Sequence, residues 1–184
     1  MAMQIFQMYI YNMTFGEALD SSVVNKYKTF SGRACRAEWY YFHIFSILLS
    51  IIVGSVAGII AGTSIDPEAI RDLSQEELTD YLVDSGSFNV VIYSTVAISA
   101  LLFLPSISVT VRRLQDLNIT YFWALPYFIT YILGFYVILN QGEENAERLN
   151  SISSLVFIVY LLVFAKKGDY KKNRFGENPL EKES

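Results

Sequence analysis

Val109-Thr110-Val111-Arg112-Arg113-Leu114-Gln115-Asp116-Leu117-Asn118 is the run whose reading decides the fold. An apolar stretch ends there in two adjacent arginines and an aspartate, and another apolar stretch begins at Thr120. A soluble core has no use for so short a charged connector between two such runs. Two helices turning at a membrane surface require one, so the run reads as the cytoplasmic turn of a polytopic membrane protein.

Working outward, two more apolar runs frame the chain. No charged residue occurs from Trp39 to Ala61. At the rise of an α-helix those positions span about 34 Å, against a hydrocarbon core of about 30 Å. Trp39, Tyr40 and Tyr41 stand at its start, where amphipathic rings favour the headgroup level. The spacing predicts membrane helices over about 39–61, 88–111, 120–139 and 149–165, the last being the shortest at roughly 25 Å. Pro105 removes one donor within the second, which predicts a kink relieved by Ser106 or Ser108. Pro126 and Gly134 interrupt the third. Ser50, Gly54, Gly58 and Gly62 make a small-residue stripe on the first, suited to close helix packing within the chain or between copies.

The flanks are polar. Thr14 and Glu17 have capping-box spacing, and Phe15, Leu19, Val23 and Tyr27 recur every four residues. That pattern fits a helix lying on the membrane surface or packed on the protein's own loops. Ser31 is read as the N-cap of the helix carrying Arg33, Arg36 and Glu38. Residues 63–87 form an acidic external connector; Asp66-Pro67 and the Ser74/Glu77 pair predict one or two short helices in it. The domains are thus a segment at 1–37, a four-helix domain at 38–165 and a basic tail at 166–184. Residues 1–12 are apolar, but the first basic residue is Lys26, so no secretory signal is read there.

Charge sets the orientation. Twelve of the fourteen Lys and Arg residues fall before the first run, in the Arg112-Arg113 connector or after the last run. Arg71 and Arg148 alone fall on the other side, among ten acidic residues. Basic residues are retained in the cytoplasm during insertion, so both termini are expected inside.

Composition narrows function. The 184 residues are 53% hydrophobic with a formal net charge of -4, and mean hydropathy is +0.33. An acidic balance disfavours nucleic acid as a partner, because phosphate binding needs a basic face. Cys35 and His43 are the sole cysteine and histidine, so neither an internal disulfide nor a cysteine metal cluster is available. No phosphate-binding glycine loop, paired histidines or Gly-x-Ser-x-Gly elbow occurs. The chain is read as non-enzymatic, with no cofactor and no metal. His43 suits a hydrogen-bonded structural role, with a proton relay as the rival. Cys35, beside Arg36, could have a lowered pKa; without a partner base it is treated as incidental.

The candidate site is electrostatic: Arg33, Arg36, Glu38, Arg112, Arg113, Asp116 and Arg174, all at the cytoplasmic level. Arg112 or Arg113 can meet Asp116 if the helix continues past Leu114. Either the arginines anchor the helices and the acids satisfy them, or they form a basic pocket for an anionic lipid headgroup, an acidic ligand or a protein partner. The expected partners are the bilayer, anionic headgroups, and a second copy or another membrane protein. The alternative function is a small oligomeric transporter or channel component, which Pro105, Pro126 and Gly134 keep open.

Three motifs carry a family resemblance. Phe30-Ser31-Gly32-Arg33-Ala34-Cys35-Arg36-Ala37-Glu38-Trp39-Tyr40-Tyr41-Phe42 resembles an opening signature of Phe-Ser-Gly-Arg, a second arginine, an acid and aromatics. Thr110-Val111-Arg112-Arg113-Leu114-Gln115-Asp116 resembles a central Arg-Arg-Leu-His-Asp motif, and Asn173-Arg174-Phe175-Gly176-Glu177-Asn178-Pro179 a closing Asn-Arg-(aromatic)-Gly-x-Asn-Pro signature. In that order they are similar to the bacterial inner-membrane family known as domain of unknown function 805, over Thr14 to Pro179. The resemblance implies a bacterial inner-membrane protein with no established activity. It also implies that the three motifs gather at the cytoplasmic face. Gln115 stands where the family usually has histidine, and Asn118 where glycine is common; Trp123 keeps one of a tryptophan pair. A role resting on that histidine is not carried over.

Overall fold

The structure is a computed structural model that describes residues 13–139 and 144–180. The apolar start at 1–12, together with Glu143 and Lys182, lies outside the described residues. Among those described, every regular element is helical: α1 Phe15–Leu19, α2 Arg36–Gly62, α3 Gln75–Asp84, α4 Ser87–Asp116, α5 Leu125–Leu139 and α6 Glu144–Phe164. A π-helical turn, Asp20–Asn25, follows α1, and a 3-10 turn, Tyr121–Ala124, precedes α5.

Among the described residues, four stretches are long and apolar enough to cross a membrane: Arg36–Gly62, Ser87–Asp116, Tyr121–Leu139 and Asn145–Phe164. Large apolar side chains stand exposed along them, Ile59 at 70% and Leu162 at 69%. On a soluble surface such patches would be an anomaly, whereas lipid is their natural solvent. The protein is a multi-pass membrane protein built from four such helices.

The chain divides into two units, Met1–Phe45 with Leu102–Ser184, and Ser46–Leu101. In the first, α5 packs on α6, and aromatic rings fill the interior. Trp39, Phe42 and Phe164 are fully buried, with Trp39 edge-on to Phe164 at 4.9 Å and Tyr160 edge-on to Phe164 at 5.3 Å. In the second, Ser74 and Glu77 form the expected reciprocal cap at the start of α3, with Ser74 N donating to Glu77 Oε2 at 2.8 Å. The Ser74 hydroxyl and amide hold the Glu77 carboxyl below its usual range.

Several expectations are corrected. The N-terminal helix keeps its Thr14–Glu17 capping box, but its four-residue period fails after Leu19. Lys26 N bonds back to Ser21 O at 2.8 Å, closing a wider turn. The side chains buried there are Ala18 and Ser22, not Phe15, Leu19, Val23 and Tyr27. Ser31 caps no helix: Ser31-Gly32 is a bend with Gly32 at φ +92°, and α2 begins at Arg36. The connector holds one short helix, α3, within the one or two expected; at Asp66-Pro67 there is a turn in which Asp66 Oδ1 accepts from Glu68 N.

Further corrections concern the long helices. α4 does not stop at Val111; it runs through both arginines to Asp116, with Pro105 inside it. Ser106 and Ser108 make bonds other than the expected ones: Ser106 Oγ lies 2.6 Å from Tyr127 Oη, and Ser108 Oγ donates toward the carbonyls of Lys26 and Thr29. The fourth helix begins at Glu144, earlier than expected, and so reaches about 31 Å. Finally, a Cβ added at Gly54, Gly58 or Gly62 would meet nothing within 4 Å, and the Ser50 hydroxyl folds back to Ser46 O. The stripe is therefore not a packing seam among the described residues.

Candidate functional site

The site is built on the end of α4. Helical spacing points Arg113 and Asp116 the same way, and Arg113 Nη1 pairs with Asp116 Oδ2. Arg112 projects to another side and pairs with Glu38 Oε1 at 2.5 Å. The alternative Arg112–Asp116 pairing is not used.

Arg33 reaches Asp116 from outside the helices. Because α2 begins only at Arg36, Arg33–Cys35 lie outside any helix and Ala34 N donates to Arg112 O at 3.1 Å. Arg33 Nε and Nη2 both approach Asp116 Oδ1 at 2.8 Å. Its remaining donors go to the carbonyls of Lys171 at 2.8 Å and of Asp169. Arg113 also donates to the carbonyls of Phe164, at 2.8 Å, and Lys166. Those groups close α6, where unsatisfied carbonyls and the helix dipole favour a cation. One carboxylate thus holds two guanidiniums, each clothed in main-chain carbonyls.

The helix terminus itself is closed by a recognisable motif. Ile119 N donates to Leu114 O at 2.9 Å and Asn118 N to Gln115 O at 3.0 Å, the Schellman arrangement. It requires a left-handed residue, and Asn118 supplies it at φ 58°. Asparagine tolerates that conformation better than other non-glycine residues, which accounts for its standing where glycine is common. The closing signature docks on the same end. Asn173 Nδ2 donates to Gln115 O at 2.9 Å, and Arg174 Nη2 to Asn118 O at 2.9 Å. The turn is held by Phe175 N donating to Asn173 Oδ1, with Gly176 at φ +134°.

The proposed residues therefore separate into two sets. Arg33, Glu38, Arg112, Arg113 and Asp116 are buried and mutually paired. Arg36 and Arg174 are exposed; Arg36 donates to Ala165 O at 3.3 Å, and the Arg174 guanidinium lies over the Phe175 ring at 4.6 Å. Lys166 and Lys167 are exposed beside them. Sequence reasoning missed Ser21, whose hydroxyl donates to Glu38 Oε1 at 2.9 Å, and Gly168, where an added Cβ would collide with Asp116. The signal for Gly168 was present: a glycine shortly after an apolar run marks a helix end.

Cys35 and His43 are settled by their surroundings. Burial pushes the Cys35 thiol up, with the Glu38 and Asp116 charges acting the same way against the Glu38 backbone amide. The lowered value expected from Arg36 is not found. His43 is buried, with Nδ1 2.8 Å from Trp39 O and Nε2 2.8 Å from Tyr127 Oη. A carbonyl only accepts, so Nδ1 carries the proton and the neutral ring's Nε2 accepts from Tyr127.

The chain matches the family model described as "Protein of unknown function (DUF805)" over residues 27–177. No curated protein and no solved structure matches the chain. The matched span contains the opening and central motifs, the closing motif as far as Glu177, and the four long helices. The chain belongs to the DUF805 family of proteins of unknown function.

Proposed function

We propose that this is a non-enzymatic protein of the bacterial inner membrane, with both termini in the cytoplasm and a cationic rim that holds anionic lipid headgroups. The carrying observation is the separation of the cluster into a buried, paired set and an exposed one. Arg33 and Arg113 have spent their charge on Asp116 and on carbonyls, so they hold the bundle together. Arg36, Lys166 and Lys167 face outward at the same end, and each basic side chain near an anionic leaflet is worth about 1 kcal/mol. Lys172 contributes less, because it is engaged with Glu177 at 2.6 Å.

Native mass spectra from mild detergent test this reading. Phosphatidylglycerol should remain on the wild-type protein and be lost from Arg36→Gln/Lys166→Gln/Lys167→Gln; equal retention would refute it. For orientation, a membrane-impermeant thiol reagent on intact cells should label Glu68→Cys and spare Lys172→Cys. A second reading, an oligomeric transporter component, draws on the Ser106–Tyr127–His43 chain of polar groups within the spanning helices. Proton-coupled flux in liposomes that fails in His43→Phe would favour it.

A further inference from the structure

One face of α4 carries Ser108, Arg112 and Gln115 at helical spacing, and the N-terminal strap, residues 21–30, lies across it. Ser108 Oγ meets the carbonyls of Lys26 and Thr29 at 2.9 and 2.6 Å. Gln115 Nε2 donates to Phe30 O at 3.0 Å. Ser21 Oγ donates to Glu38 Oε1, the oxygen that also pairs with Arg112.

What these bonds leave over is specific. Arg112 Nε and Nη2, Glu38 Oε2 and Gln115 Oε1 are buried with no hydrogen-bond partner among the described residues. The Arg112 side chain is 0% exposed and that of Glu38 1%. Buried polar atoms are paired with few exceptions; of six unpartnered ones among the described residues, four fall on these three neighbouring side chains, the others being Arg113 Nε and Ser153 Oγ. Nε and Nη2 form one edge of the guanidinium, a fork whose two parallel donors match two oxygens of a carboxylate or phosphate. Glu38 Oε2 and Gln115 Oε1 accept only, so they call for a donor on the same group.

The buried guanidiniums are not equally satisfied. The buried guanidiniums are Arg33, Arg112 and Arg113, and the buried carboxylates Glu38 and Asp116. The Arg33 and Arg113 guanidiniums also reach main-chain carbonyls, whereas among the described residues the Arg112 guanidinium has Glu38 alone. The excess formal charge lies with Arg33 and Arg113 around Asp116, while the unmatched donors lie on Arg112, so the free fork and not net charge marks the site.

We propose that Arg112, Glu38 and Gln115 form an internal site for a small oxyanion of the phosphate or carboxylate class that bears an O–H or N–H, with the strap closing over it. The two anion oxygens take the Arg112 fork, and the anion's own hydrogen goes to Glu38 Oε2 or Gln115 Oε1. None of the outward-facing Arg36, Lys166 and Lys167 takes part, so this site stands or falls apart from the rim. Its occupant comes from free solution or from a lipid headgroup.

The test uses full-length protein with 15N-labelled arginine in phosphatidylcholine nanodiscs at constant chloride, with inorganic phosphate as the probe. The Arg112 Nε–H resonance should shift saturably, and the melting temperature should rise with it. Arg112→Lys keeps a charge for Glu38 but lacks the fork, and should lose the response. Gln115→Glu adds a repelling carboxylate and should weaken the apparent phosphate affinity at least tenfold. It keeps the proposal testable alongside the wild-type resonance if Arg112→Lys fails to fold. The same shift in phosphatidylglycerol nanodiscs without phosphate would assign the site to a headgroup; a shift with phosphate alone would assign it to a free anion. An Nε–H unmoved by both probes, or an undiminished phosphate response in the folded variants, would overturn the proposal.

Discussion

Gly168 lies so close to the Asp116 carboxylate that any β-carbon there would occupy its space. The backbone is drawn in as well, since Asp169 N donates to Asp116 O at 3.1 Å. Gly168→Ala must therefore displace the carboxylate that holds Arg33 and Arg113. A buried ion pair broken from one side costs about 3–5 kcal/mol, and thermal unfolding in detergent should register a loss of that order. Gly58→Ala is the control: it meets open space and should gain about 0.5–1 kcal/mol from helix propensity. A tolerated Gly168→Ala would mean that the carboxylate has room to move.

Arg112 and Glu38 depend on each other more than the fold depends on the pair. Arg112→Met should cost about 3–5 kcal/mol by stranding the Glu38 carboxylate. Adding Glu38→Leu should restore much of that loss, because a well-packed apolar pair replaces a buried ionic one at little cost. A double-mutant cycle on melting temperatures measures the coupling; simple additivity would contradict the arrangement.

Asn118 occupies a left-handed position that closes α4. Asn118→Gly should be neutral or slightly stabilising, whereas Asn118→Val should cost about 1–2 kcal/mol. The comparison isolates backbone conformation, because Arg174 bonds to the carbonyl of residue 118 and not to its side chain.

How much of this was readable beforehand follows from the kind of partner each residue uses. The four apolar runs and both capping boxes were legible because their spacing is set by local geometry. Glu38 and Asp116 were legible as arginine partners because opposite charges near hydrocarbon seek each other. The carbonyls of Phe164, Lys166, Asp169 and Lys171 were not, since every residue has one and no side chain advertises which are free. The π-helical turn escaped for a related reason: Ser22 Oγ donates to Ala18 O at 2.7 Å, and a period-four pattern carries no sign of that bond. The end of α4 was misplaced because two arginines read as a boundary, although burial and pairing let a helix continue through them.

His43 should hold its proton on Nδ1. As the sole histidine, it gives one pair of ring signals in 15N-histidine-labelled protein, and their shifts report the tautomer directly. Tyr127→Phe removes the donor to Nε2 and should cost about 1 kcal/mol while moving the Nε2 signal. Unchanged ring signals in that variant would show that the Tyr127 bond is not made in the membrane.

Cys35 should resist modification. The thiol is buried and its ionisation is disfavoured, so maleimide labelling of the folded protein near neutral pH should be slow and become rapid on unfolding. The sign of the linkage follows: above the ordinary thiol range the unfolded chain releases a proton that the fold retains, so stability from this group falls as pH rises. Rapid labelling without unfolding would contradict the burial.

The contacts of Arg113 also set an order of events during synthesis. Its carbonyl partners at Phe164 and Lys166 leave the ribosome only after fifty-odd more residues, a delay of some seconds at roughly 5–20 residues per second. Arg33 waits longer still for Lys171. Until the final helix is inserted, the newborn chain therefore presents incompletely satisfied guanidiniums. A chain stalled before residue 164 would lack these carbonyls with its last span unfinished, so the first three helices stand in the membrane before the lock can form.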